Sequence, residues 1–140
     1  FTPKNNIKAD DTEVSFEKEK AVENLKTLVQ FKTVSFEEKE KEDEKEFRAL
    51  IDALPNLYKN LFGVCSVKEL ADRGLLIHWK GKNSENPTVL MAHYDVVPVN
   101  EDMWEKPPFE AIIEDGVMWG RKNKRNILDF LIFISCITIT

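Results

Sequence analysis

The chain has 140 residues, enough for one domain with a real core. Its 25 acidic and 20 basic residues leave a formal net charge of -5, and the one short basic run, Arg121 to Arg125, reads as a solvated turn, so no nucleic acid partner is expected. Two cysteines, Cys65 and Cys136, show no CxxC spacing and define neither a zinc knuckle nor a disulfide; Cys65 sits in an apolar-alternating segment and is expected as a small core residue.

Residues 1–16 are polar and aperiodic and read as a flexible lead-in. Because the chain opens on Phe1, a start further upstream is expected, with room for a signal or anchor segment that the polar first residues do not show. From Glu17 to Phe31, the residues Ala21, Val22, Leu25, Leu28 and Val29 follow the i, i+3, i+4, i+7 spacing of one helical face. Ser35-Phe36-Glu37-Glu38 has the form of a capping box, in which hydroxyl and carboxylate satisfy orphan N–H groups reciprocally, and it predicts a second helix. The first half of that helix, Glu37 to Glu46, is nearly all charged and reads as a solvated face. Its second half puts Phe47, Leu50, Ile51 and Leu54 on one stripe. Pro55 should interrupt it, leaving another turn or two through Leu57, Tyr58, Leu61 and Phe62 before Gly63.

The period changes at Val64. Val64 to Leu70 and Leu75 to Lys80 predict strands joined by the turn Ala71-Asp72-Arg73-Gly74, followed by a loop from Lys82 to Pro87. Thr88 to Ala92 is apolar on both faces, which predicts a central strand in a sheet covered by helices. Phe109 to Glu114 and Val117 to Trp119 bracket Asp115-Gly116, a hairpin signal. Ile127 to Thr140 is apolar and β-branched, broken early by Asp129. It is shorter than the roughly 20 residues of a bilayer-spanning helix, so no membrane span is expected, and it reads as a buried strand or, as a free edge, an aggregation hazard. Helices followed by a mixed set of strands predict an α/β fold, a layered mixed sheet flanked by helices.

The chemistry concentrates where the apolar strand stops. Val89-Leu90-Met91-Ala92 runs into His93-Tyr94-Asp95, and residues i and i+2 share one face of an extended segment. His93 and Asp95 therefore point together beyond the sheet edge, where open α/β sheets place their sites. An imidazole beside a carboxylate that fixes its tautomer is what a zinc ligand needs. The bland alternatives are a core-edge histidine and a carboxylate accepting turn N–H bonds ahead of Pro98. His78 has no ligand spacing around it and is expected to be structural. Trp104 and Phe109 either line a cleft or pack against the rigid Pro107-Pro108 loop; Asp115 is expected as a turn residue, with Glu101 and Asp102 solvated.

The order Met91-Ala92-His93-x-Asp95-Val96-Val97-Pro98-Val99, then Trp104-x-x-Pro107-Pro108-Phe109, then Asp115-Gly116 and Trp119-Gly120-Arg121, resembles the zinc-dependent aminoacylase and carboxypeptidase family, carboxypeptidase S-like members in particular. Phe31 to Phe36 is similar to the family's early Thr-Val-Ser turn, and Leu75 to Gly81 to its Leu-x-x-x-Trp-Lys-Gly strand. The resemblance covers residues 17–121 and implies the N-terminal part of a zinc-peptidase catalytic domain, without its inserted smaller domain. It further implies two zinc ions, with His93 as a metal ligand and Asp95 as the catalytic aspartate that supports the site. The implied reaction is hydrolysis of an amide bond in a small peptide or N-acyl amino acid, in a secretory or vacuolar setting; the oligomeric state is left open.

Beyond Arg121 the family pattern continues with glycine, two variable residues and a metal-bridging aspartate. Here Lys122, Asn123, Lys124 and Arg125 follow, and a guanidinium cannot ligate a metal. Residues 122–140 are accordingly expected to be a divergent apolar tail, read from a retained intron or a shifted frame. The chain itself is expected to be an incomplete and inactive form, lacking the general-base glutamate and the other ligands; the alternative is a degenerate non-catalytic binding module.

Overall fold

The computed structural model describes residues 15–82, 85, 87–120 and the backbone of 137–139. The lead-in up to residue 14, the basic run Arg121 to Arg125, Asp129 and Cys136 lie outside the described residues. Helices α1 (Lys18–Val29), α2 (Glu44–Leu57) and α3 (Lys59–Val64) precede strands β1 (Ser66–Glu69), β2 (Leu75–Trp79), β3 (Thr88–Leu90), β4 (Ile112–Glu114), β5 (Val117–Trp119) and β6 (Ile137–Ile139). One sheet has the order β1-β2-β6-β3: β1–β2 and β6–β3 are antiparallel and β2–β6 is parallel. The β4–β5 hairpin stands apart from it. The fold is α/β with a mixed sheet, and the tail segment supplies the strand between β2 and β3.

Helix α1 forms as its spacing predicts and carries two apolar contacts rather than one. Leu28 meets Leu50 and Leu54 of α2, with Phe31, Leu57, Phe62, Leu75 and Tyr94 packed around them. Leu25, flanked by Val22 and Val29, meets Ala111 and Met118 of the hairpin region. Each such leucine contributes roughly 1.5–3 kcal/mol of burial. Helix α1 is thus the shared wall between α2 and the β4–β5 hairpin, and Asn24 donates from Nδ2 to the Leu57 carbonyl at 2.9 Å, satisfying one orphan acceptor at the end of α2. The hairpin can approach α1 only because it ends in glycine: a Cβ on Gly120 would lie 2.6 Å from Val29 Cγ1. Asp115 (φ 49°) and Gly116 (φ 75°) are both left-handed, the two-residue turn whose twist matches the flanking strands.

Four expectations are corrected. Ser35 and Glu38 do not cap a helix; a short 3₁₀ turn covers Lys39–Lys41, and α2 starts at Glu44, where the Asp43 carboxylate accepts from Lys45 N at 3.0 Å. The reason is competition: Ser35 is taken by an extended pairing, its N–H donating to the Val96 carbonyl at 2.8 Å. Pro55 lies inside α2 instead of interrupting it. It comes one turn from the end, and the ladder still closes behind it through Tyr58 N to the Leu54 carbonyl at 2.9 Å. Finally, β3 is not a buried central strand. Among the described residues it pairs with β6 alone and no helix covers that end of the sheet, so Val89, Leu90 and Met91 are all exposed. Cys65 is a free, half-buried thiol beside β1, partly shielded rather than a core residue.

Candidate active site

Past β3 the chain leaves the sheet edge in an extended segment that is held from the other side by Thr33, Val34 and Ser35. Val34 and Val96 form a parallel bridge. Val96 N donates to the Thr33 carbonyl at 2.8 Å, and the Thr33 hydroxyl donates to the Tyr94 carbonyl at 2.7 Å. Thr33 is only 1% exposed, so its hydroxyl has no water to fall back on. The Tyr94 hydroxyl donates to the Arg73 carbonyl at 2.6 Å, and its ring meets Phe47 edge-on at 6.2 Å. Burial pushes the Tyr94 hydroxyl up, which keeps it a donor.

This framework brings His93 and Asp95 together, as the i, i+2 spacing requires. His93 Nδ1 lies 3.1 Å from Asp95 Oδ1 and 3.1 Å from the Asp95 carbonyl oxygen. Both neighbours are acceptors, so the Nδ1 atom must carry the proton, and in the neutral ring the lone pair falls on Nε2. Burial alone would push the Asp95 carboxyl up. Hydrogen bonds from the Ser35 hydroxyl and from His93 outweigh it and hold the group below the ordinary aspartate range. The result is a carboxylate that orients an imidazole, the arrangement that prepares a histidine to bind a metal through its other nitrogen.

The pair borders a cleft of about 390 Å³ between α2, the Ala71–Gly74 turn, β2 and the segment from Met91 to Asp95. Phe47, Leu50, Leu54, Leu75 and Ile77 make its apolar wall; Ser35, Asp72, Arg73, His93 and Asp95 supply the polar groups. Asp72 (φ 54°) and Arg73 (φ 67°) hold a left-handed conformation unusual for their side chains. Arg73 is fixed there by three contacts: its guanidinium lies 3.8 Å over the Phe47 ring and pairs with Glu42 and Glu44 at 2.7 Å each. Glu42, 6% exposed, also accepts from Phe36 N at 3.0 Å; that backbone bond, then Arg73, hold its carboxyl below the usual glutamate range.

The other singled-out residues are placed elsewhere. His78 faces Ser66 across the β1–β2 pair, its Nδ1 3.4 Å from the hydroxyl. Phe109 is buried with the Lys32 ammonium 5.4 Å above its ring, and neither it nor Trp104 lines the cleft beside His93. Asp115 is a turn residue, and Glu101 and Asp102 are exposed. Thr33, Ser35 and Arg73 were not marked as site residues by the motif alone. The alternation of two hydroxyls around Val34 was the available signal, since both hydroxyls fall on one face of an extended segment.

A zinc centre of the implied kind needs about three protein ligands per catalytic ion. Among the described residues no group of three or more His, Cys, Asp or Glu side chains could hold a metal ion. The donor chemistry at His93 and Asp95 fits one corner of such a site, a nitrogen ligand with its orienting carboxylate, and Arg125, where the motif pattern leads one to expect a bridging aspartate, lies outside the described residues. No helix among the described residues is long and apolar enough to cross a membrane.

Residues 89–131 match the model of peptidase family M20/M25/M40, a range that includes His93 and Asp95 and runs past Arg121. The chain is similar to carboxypeptidase S of Saccharomyces cerevisiae, 35% identical over 83 residues that make up 55% of this chain and 14% of that protein. An N-fatty-acyl-amino acid synthase/hydrolase of Danio rerio is 33% identical over 135 residues, covering 82% of this chain and 24% of its own length. An uncharacterized carboxypeptidase of Schizosaccharomyces pombe is 40% identical over 79 residues, 54% of this chain and 13% of that protein. The chain therefore spans less than a quarter of the curated relatives it matches. Motif order, the His93–Asp95 geometry at a strand end and these likenesses agree: the chain resembles the M20 peptidases, carboxypeptidase-like members in particular.

Proposed function

We propose that this chain carries one corner of a metal-dependent amidohydrolase site, acting in its whole protein on a small peptide or an N-acyl amino acid. His93 would hold zinc through Nε2, and Asp95 is the residue that keeps the imidazole in the required tautomer and orientation. The single observation that carries this is the His93 Nδ1 contact to two acceptors of Asp95, which leaves the ligand-competent lone pair on Nε2. Bound zinc would supply Lewis-acid polarisation of the scissile carbonyl and of the attacking water. The chain's own contribution is positional. The Thr33–Ser35 segment fixes the loop, Asp95 fixes the ring, and the apolar wall of the cleft keeps water from one side of the site.

On its own the 140-residue chain should be hydrolytically silent, because among the described residues His93 and Asp95 form no group of three metal-ligating side chains, and in the motif pattern of the resemblance Arg125 stands where a bridging carboxylate is expected. A secretory or vacuolar setting accords with the same family resemblance. Zinc stoichiometry and turnover of a dipeptide and an N-acyl amino acid by the purified chain test this: the expected result is no tightly held pair of ions and no hydrolysis. Turnover abolished by both a chelator and His93→Ala would overturn the inert reading. A second reading, a binding module without metal, draws on the apolar cleft beside His93. It requires saturable peptide binding in the presence of chelator.

A further inference from the structure

The charged groups lining the cleft beside His93 are unequally available to a ligand. Among the described residues Arg73 is the one lysine or arginine that lines it, and it is already committed. Its guanidinium pairs with Glu42 and Glu44 at 2.7 Å each and lies 3.8 Å over the Phe47 ring. A cation shared by two carboxylates attracts no further anion, and the trio carries a net negative charge. Asp72, next to Arg73 in the same turn, also lines the cleft. Its carboxylate is 84% exposed and meets Lys39 at 3.4 Å, and a pair so open to water holds its members weakly. The rest of the wall is apolar, with Phe47, Leu75 and Ile77 among its residues. At about 390 Å³ the cleft lies at the small end of the range for ligand sites, roughly 300–1,000 Å³.

We propose that this cleft takes a small ligand with an ammonium head and an apolar body, namely the free N-terminal end of a short peptide whose first residue is apolar. Asp72 receives the ammonium, in the negative field of the Glu42–Arg73–Glu44 trio, and the apolar wall receives the side chain. The proposal rests on the reading of His93 and Asp95 as one corner of an amidohydrolase site, and it narrows that reading. Of the small peptide and the N-acyl amino acid, the peptide fits. An acylated amine brings no charge to Asp72. The free carboxylate of an N-acyl amino acid finds Arg73 already neutralised and carboxylates around it. Charge decides between the two classes, because an apolar wall of this kind would accept the body of either.

Leucinamide, N-acetylleucinamide and glycinamide, titrated in the presence of chelator into the ¹⁵N-labelled full chain, test this, with the backbone amide shifts of Gly74, Leu75 and Ile77 reporting occupancy. Leucinamide keeps both the charge and the side chain, its acetylated form loses the charge, and glycinamide loses the side chain. Leucinamide should give saturable shifts. N-acetylleucinamide should bind about fivefold more weakly, the scale of one exposed ion pair. Glycinamide should bind at least about tenfold more weakly, the scale of one buried leucine side chain. Asp72→Asn removes the carboxylate and keeps a residue suited to the left-handed backbone there (φ 54°), and it should bring leucinamide down to the level of its acetylated form. Lys39→Gln takes away the competing ammonium and should tighten leucinamide binding. Equal or tighter binding of N-acetylleucinamide, a preference left intact in Asp72→Asn, or no saturable shift at Leu75 and Ile77 overturns the proposal. Zinc chloride added to the native chain without chelator reads the metal site separately. Perturbed His93 resonances with no preference for the ammonium leave the metal reading standing and remove this one. An ammonium preference with no response to zinc keeps the ligand class and removes the metal.

Discussion

Helix α2 and strand β3 are comparably apolar on their faces, yet they stand in opposite surroundings. Phe47, Leu50, Ile51 and Leu54 of α2 are all buried; Leu50 and Leu54 pack with Leu28 of α1, Tyr94 and Leu75 of β2, and Phe47 meets the Tyr94 ring. Val89, Leu90 and Met91, at and just past β3, are exposed, with Met91 82% open. The difference is one of neighbours rather than composition. Helix α2 packs on Leu28 of α1, on Leu75 of β2 and on Tyr94, whereas β3 has a hydrogen-bonded neighbour in β6 and no described layer on its faces. The stability of the chain should therefore come from the helical side, while the site hangs from the less supported edge and depends on the Thr33–Ser35 segment to hold it.

The largest effect should come from the helical wall. Leu54, 1% exposed, touches the core formed with Leu28 and Leu50, and Leu54→Ala should cost about 2–5 kcal/mol by removing the buried atoms and leaving a cavity. Urea unfolding followed by far-ultraviolet circular dichroism measures it. A loss below about 1 kcal/mol would mean that the α1–α2 contact is not the stability core and that the comparison is drawn in the wrong place. Next comes the junction between α1 and the hairpin. Gly120→Ala would place a methyl 2.6 Å from Val29 Cγ1, and overpacking of this kind costs about 1–3 kcal/mol. Val29→Ala in the same chain should recover much of that loss, because it withdraws the clashing methyl.

A pH titration probes the polar attachments between the two regions. Asp95 and Glu42 both titrate below their ordinary values of 3.8 and 4.5, Asp95 because Ser35 and His93 outweigh its burial, Glu42 because of the Phe36 N–H and Arg73. A folded carboxyl with a depressed pKa binds its proton more weakly than the unfolded one. Its stabilisation is fully present above the unfolded value and is lost as pH falls through the folded value. The unfolding midpoint should hold between pH 7 and about 5 and fall below about pH 4. Glu42→Gln should flatten the acid limb. An acid limb unaltered by that change would remove Glu42 and Arg73 from the account of how the Ala71–Gly74 turn is held.

How much of this was readable in the residues follows the same division. The stripes of α1 and α2, the β1–β2 strands, their turn and the Asp115-Gly116 hairpin all follow from local periodicity and turn chemistry, and all are present. The pairing of His93 with Asp95 follows from a two-residue period that no tertiary context needs to supply. What local pattern cannot carry is which groups compete for a side chain. Ser35 and Glu38 satisfy a capping rule, but Ser35 is 61 residues from the Val96 carbonyl that takes its N–H, and no local window contains that partner. Likewise the apolar run Thr88 to Ala92 specifies a strand without specifying whether anything covers it. Arg73 was invisible as a site residue because its role is to hold a left-handed turn through Phe47, Glu42 and Glu44, three contacts distributed over another helix and its approach.

The smallest expected effect is at β3, and it bears most directly on the comparison. Val89→Thr and Met91→Ser exchange apolar for polar atoms on side chains that already face solvent, so each should change unfolding stability by less than about 0.5 kcal/mol. The same pair of substitutions in a buried central strand would cost several times more, through lost burial and an unpaired hydroxyl. Measured beside Leu54→Ala under one urea protocol, they separate the two environments without reference to activity. If Met91→Ser proves as costly as Leu54→Ala, the face past β3 is covered in solution. The His93–Asp95 loop would then be supported from the sheet side as well, and the weight placed on Thr33 and Ser35 as its holders would have to be shared.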